Sequence, residues 1–261
     1  MAGRTFFGSV RLAILLAALV FVALGAWLDH RRSTDWDGTL RVTVYPVAID
    51  TDSATTRFVA GLDRDSFAGI TGFIADEGSR YGVGIDEPVS VRVSHAVREP
   101  PPAAPTDPGP LSVALWSLRL RYWAWRVAAN DPLPPPDVQV FALYHTPDGG
   151  QVAPDSTGLR KGLVAVTHVF SGPDAAASNQ VVLTHEFLHT LGATDKYDQR
   201  TGQPLAPIGL GDPAQDPPYP QETGEIMAGR VAMSAQSAEI PDSLSQMTVG
   251  PVTAREIGWL R

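Results

Sequence analysis

His185 and His189 stand four residues apart, with Glu186 beside the first, inside an otherwise apolar run from Val181 to Leu191. In an α-helix a four-residue step advances about 6 Å and turns about 40° past a full circle, so both imidazoles leave the same face. Val181, Val182, Leu183, Phe187, Leu188 and Leu191 give the remainder of that helix an amphipathic to nearly buried character. Two imidazoles among them need a partner, because a polar group buried without one is costly. A shared metal ion is such a partner. Glu186, one position on, can reach a water on that ion without having to bind it.

The chain has no cysteine, which excludes disulfides, thiolate metal sites and a cysteine nucleophile. Any metal must be held by His, Asp or Glu. A catalytic zinc takes three protein ligands and keeps one position open, so a third ligand is required beside His185 and His189. Gly192 follows His189 by three residues and can end the helix in the left-handed conformation, turning the chain back. Asp195, three residues further, can then offer a carboxylate. Asp198 is a rival slightly further along the loop. Glu222 and Glu225 are more distant rivals, in a stretch, "PPYPQETGEIM", that does not read as a helix.

The pattern H-E-x-x-H-x-x-G-x-x-D, from His185 to Asp195, resembles the metzincin signature, whose last position is usually His. The Asp variant is similar to that of the snapalysin-type bacterial metallopeptidases. This resemblance implies Zn2+ held by His185, His189 and Asp195, with Glu186 as general base in peptide-bond hydrolysis. It implies an α+β fold in which a zincin/metzincin-like mixed sheet packs on the active-site helix. It also implies a tight turn beneath the metal, for which Met227 in "TGEIMAG" is the counterpart. Substrate would pair with an edge strand, assigned to residues 161–169, and Tyr197 or Tyr219 would donate to the developing oxyanion. Two departures stand out: the Asp in place of His, and the Pro- and Trp-rich insertion near 99–130, which has no obvious equivalent in the family pattern. A catalytically inactive zinc-binding interaction module and a zinc hydrolase of a non-peptide substrate are the alternatives. Glu186 favours an enzyme, since binding alone needs no general base.

Along the chain, residues 39–49 alternate as a first strand, and residues 52–78 carry helical spacing with a break near Asp65 and a cap at Asp52 or Ser53. A second strand covers residues 87–97. Residues 111–130 read as a helix whose aromatics pack on the sheet while its arginines snorkel, or which lies on a membrane surface. Residues 137–145 and 161–170 are further strands, joined by a long hairpin or irregular connection, and residues 250–260 form a closing helix. His95, His145 and His168 fall in strand-like segments and read as structural. The loop 199–223, with six prolines, shapes the cleft.

At the N-terminus, Leu12–Leu28 is uncharged and 17 residues long, at the lower limit for crossing a bilayer. Residues 1–32 are therefore expected to be a transmembrane anchor, or a signal segment cleaved after Gly25, leaving residues 39–261 as the catalytic domain. Arg4 and Arg11 on one side nearly balance Arg31 and Arg32 on the other; the expected orientation has the N-terminus inside and the bulk of the chain outside the cytoplasm. Residues 1–32 hold four arginines and one aspartate, so a formal charge of −8 becomes −11 without them. No basic cluster marks a nucleic-acid partner. The expected partners are a peptide or protein substrate and, through the N-terminal helix, the membrane.

Overall fold

The computed structural model describes residues 34–50, 52–107, 109–147, 157–159 and 163–260. The N-terminal anchor or signal segment lies outside them. Among the described residues no helix is long and apolar enough to cross a membrane.

The centre is a five-stranded mixed sheet formed by β1 (Leu40–Ala48), β2 (Val89–Val93), β3 (Val138–His145), β4 (Thr157–Leu159) and β5 (Val164–Phe170). Their order is β2-β1-β3-β5-β4, with β4 antiparallel to β5 and the other pairs parallel. Parallel strands are usually covered on both faces, and the apolar runs here fit that rule. Val42, Val44, Val138 and Val140 point into one core, and Tyr45, Val47, Phe141 and Leu143 into a second.

The first core is closed by α1 (Ser53–Ala60), α2 (Ala68–Arg80), α4 (Ala176–Leu191) and α5 (Pro251–Glu256); the second is closed by α3 (Pro110–Ala129). The carboxylate of Asp52 caps α1 by accepting from the backbone N–H groups of Ala54 and Thr55, as its sequence position suggested. The break near Asp65 is a short 3-10 turn, Asp65–Phe67, after which Ile70, Phe73 and Ile74 bury one side of α2.

Two expectations need correction. The described part of the expected edge strand, β5, does not form the sheet edge: it is enclosed between β3 and β4, and among the described residues the edge on that side is β4. The connection read as a long hairpin or irregular segment is no hairpin between β3 and β5, which run parallel, and it contributes the strand β4, whose three residues are too few for periodicity to reveal. The aromatics of α3 do not all pack on the sheet either. Trp116 and Trp123 do, whereas Trp125 faces outward.

Candidate metal centre

α4 runs through the first core beside β5 and β4, with Val181, Leu183, Phe187, Leu188 and Leu191 buried. It stops at Gly192, whose φ of 114° is one that L side chains rarely adopt. The Ala193 N–H reaches Leu188 O at 3.1 Å and the Gly192 N–H reaches His189 O at 3.1 Å, the paired bonds of a Schellman cap. This cap swings the following residues back over the end of the helix.

As a result His185, His189 and Asp195 converge, with one ligand atom of each within 4.8 Å of the others. The two Nε2 atoms are 3.0 Å apart, and Asp195 Oδ1 is 3.3 Å from that of His185 and 3.0 Å from that of His189. Each Nδ1 lies against a carbonyl, 2.9 Å from Ile226 O for His185 and 2.8 Å from Ala193 O for His189. A carbonyl can only accept, so the proton of each neutral ring belongs on Nδ1 and the Nε2 lone pair faces inward. Two lone pairs and a carboxylate aimed at one point repel one another unless a cation or protons lie between them. Asp195 Oδ1 is shut away from solvent and has no well-formed hydrogen bond among the described residues. Two imidazole nitrogens and one carboxylate oxygen, half-buried with one side toward solvent, fit zinc with an open position.

Electrostatics point the same way. When a ring carries a proton on Nε2 instead, that N–H meets Asp195, and such contacts with His185 and His189 hold the Asp195 carboxyl far below the usual carboxylate range. Burial pushes the His189 pKa down, but Asp195, Ala193 and the nearby charge of Glu186 outweigh it, and the net direction is up. Glu186 itself is buried on α4.

The rivals for the third ligand are engaged elsewhere. Asp198 Oδ1 accepts from the backbone N–H groups of Arg200 and Thr201, closing a local turn. Glu222 is exposed. Glu225 is fully buried and accepts from Met227 N, Ala228 N, Gly250 N and Thr253 Oγ1. It braces the turn that carries Ile226 O to His185. Met227 lies in this turn, which Gly229 closes with a φ of 66°, and its side chain is part of the first core. The described contact from the turn to the histidines is therefore the Ile226 carbonyl. The ring of Tyr197 lies 6.4 Å from that of His185. His145 and His168 bond each other at 2.8 Å, apart from the cluster, and His95 is exposed.

Sequence reasoning missed the tether of the ligand loop. Lys196, almost wholly buried, donates through Nζ to Thr194 O at 2.7 Å and to Glu256 Oε2 at 2.8 Å. Glu256 also accepts from Thr194 N and Thr194 Oγ1, while Lys196 N donates to Met227 O. Asp195 is thus clamped on both sides to α5 and to the 225–229 turn. A lysine within two residues of a candidate ligand was the one local hint.

Fold and site together define a mixed α/β protein with a His-Glu-x-x-His helix and a His-His-Asp donor set. No family model and no curated protein matches the chain. Among solved structures it is similar to two of OgpA from Akkermansia muciniphila. One is a catalytically inactive form in complex with an O-glycopeptide (glycodrosocin) substrate, at 9% identity and a TM-score of 0.40. The other is the wild type, at 12% identity and a TM-score of 0.38. In both cases the match covers 84% of this chain and 59% of that chain, less than two thirds of its length.

Proposed function

We propose that this chain is a zinc-dependent peptidase of metzincin-like design, with His185, His189 and Asp195 as metal ligands and Glu186 as general base. The observation that carries the reading is the pair of Nδ1–carbonyl bonds, which turn both Nε2 lone pairs toward the Asp195 carboxylate. Bound zinc would lower the pKa of a water toward ~7 and polarise a substrate carbonyl. Glu186, next to His185 in sequence and buried on the same helix, takes the proton of the attacking water and passes it to the leaving amine. Tyr197, beside His185, donates toward the oxygen on which charge develops. β4, the edge strand next to α4 among the described residues, offers backbone groups to an extended peptide.

The full chain should bind one zinc at near-stoichiometric occupancy, measured by metal analysis after dialysis. Glu186→Gln should keep the metal and lose at least 100-fold in cleavage of a peptide library, the order expected for a general base. A chain that binds no zinc would sink the metal reading. Zinc binding with no peptide cleavage in either form would leave an interaction module or a different hydrolase.

A further inference from the structure

α3 has two apolar faces, and the sheet covers one of them. Leu120, Trp123 and Ala124 enter the second core. On the opposite side Leu111, Leu115, Leu118, Tyr122 and Trp125 are 82, 49, 62, 65 and 62% exposed. Steps of four and three residues keep these five in a strip about 80° wide and about 21 Å long. Single exposed apolar residues are ordinary on a protein surface, whereas a continuous strip marks something that covers it. Tyr122 and Trp125 touch within it, their ring centroids 5.9 Å apart.

The flanks of the strip are basic. On a helical projection Arg119 and Arg126 border one side and Arg121 the other. Pro110–Ala129 holds these three arginines and no acidic residue, in a chain whose formal charge is −8. Arg126 is paired with Glu99; Arg119 and Arg121 form no ion pair among the described residues.

We infer that this face of α3 rests on an anionic lipid surface. Leucine, tyrosine and tryptophan flanked by arginine is the composition of a helix lying in the headgroup region. The four-three spacing would also suit pairing with a second copy, but such pairs need opposite charges beside the seam. Apart from Glu99, already paired with Arg126, the charges on both flanks are arginine, so a copy would set Arg119 and Arg121 against arginine, whereas anionic headgroups complement them. The rest of the chain points to the same partner. The uncharged run Leu12–Leu28 ends six residues before residue 34, and six residues span at most about 22 Å. In the β2–α3–β3 crossover, the C-terminal end of α3 faces the end of the sheet where β1 begins, since Val42 pairs with Val138. The Tyr122–Trp125 end of the strip is therefore at the end of the sheet where β1 begins, while Trp36 lies on the other face of the sheet, against Ile257 and Trp259.

Because the chain has no cysteine, one engineered cysteine takes a spin label uniquely. The full chain labelled at Leu118→Cys, and separately at the exposed control Ile240→Cys, is reconstituted in phosphatidylcholine vesicles with and without phosphatidylglycerol. Accessibility to oxygen and to a water-soluble nickel chelate is then measured. With phosphatidylglycerol, the oxygen-to-nickel ratio should be roughly fivefold higher at 118 than at 240, as expected for a side chain at the acyl boundary. It should fall when phosphatidylglycerol is omitted, and in Arg119→Gln/Arg121→Gln. Any effect of the N-terminal segment alone acts on both labels and leaves their ratios alike. Equal ratios at 118 and 240 would overturn the proposal, as would an undiminished ratio at 118 in pure phosphatidylcholine. A dipolar distance between labels on two copies, together with a water-like ratio, would assign the strip to self-association instead. Should Leu118→Cys disturb folding, as judged by circular dichroism, Leu111→Cys on the same strip is read in its place.

Discussion

Glu225 and Asp195 are both carboxylates near the histidines, and their surroundings separate their roles. Asp195 Oδ1 faces two imidazole nitrogens, whereas Glu225 receives four donors from Met227, Ala228, Gly250 and Thr253. A carboxylate with four protein donors has no lone pair left for a metal, so Glu225 is a brace. Burial pushes its pKa up, and those donors offset the effect only in part. Glu225→Gln tests the brace, because the amide nitrogen would face donors from which it cannot accept. Each donor so stranded costs about 1–3 kcal/mol. The variant should be about 2–4 kcal/mol less stable in denaturant unfolding at neutral pH. An unchanged midpoint would mean the 225–229 turn is held by other contacts. Asp195→Asn, in contrast, should keep the circular dichroism spectrum of the metal-free chain and lower zinc affinity at least tenfold by titration against a chelator, since a neutral amide oxygen is a poor substitute for a carboxylate ligand.

Between elements, the clamp of Lys196, Thr194 and Glu256 sets where the ligand loop sits against α5. Burial pushes the Glu256 pKa up, but the hydrogen bonds from Lys196 and Thr194 outweigh it, and the folded value lies below the usual one. A depressed folded pKa stabilises above the unfolded pKa, and that contribution is lost as pH falls through the folded value. In Glu256→Gln the thermal midpoint of the metal-free protein should therefore drop less than in wild type as pH is lowered from neutral to acid. At neutral pH the same variant should weaken zinc binding by about 10-fold while keeping its circular dichroism spectrum, the size expected for a residue that supports a ligand through its neighbour. An equal pH slope in both proteins would remove Glu256 from the clamp. This clamp was not legible in the sequence because Lys196 and Glu256 are brought together over 60 residues of chain. What was legible is local: the four-residue step of His185 and His189, the Gly192 stop, and the short reach to Asp195 all lie within one helix and its cap. The strands β1, β2, β3 and β5 announced themselves by alternation or apolar runs. β4 did not, because three residues show no period and edge position depends on strand order. The outward face of α3 was equally hidden, since apolar residues on two sides of a helix do not say which side the sheet covers.

Across the whole molecule, the proposed centre joins parts that would otherwise be linked only by packing. α4 supplies two ligands, the loop after Gly192 the third, the 225–229 turn orients one ring, and α5 holds the loop through Glu256. None of these pieces brings the three ligand atoms together alone, so the unfolded chain offers no comparable site. An ion that binds the folded state and not the unfolded one stabilises it by RT ln(1 + [L]/Kd), about 2.7 kcal/mol when free zinc is 100 times Kd. For a domain of this size each kcal/mol moves the thermal midpoint by about 2–4 °C. Under that condition chelation should lower the midpoint by roughly 5–11 °C. His189→Ala should be insensitive to chelation, and Glu186→Gln should respond like wild type because its ligands are intact. That pattern separates metal binding from hydrolysis, since it needs no substrate. Scanning calorimetry with and without chelator reads it directly. A midpoint that ignores chelation in every form would show that the three side chains meet without a metal, held by the clamp on Asp195 and the carbonyls that face the two rings.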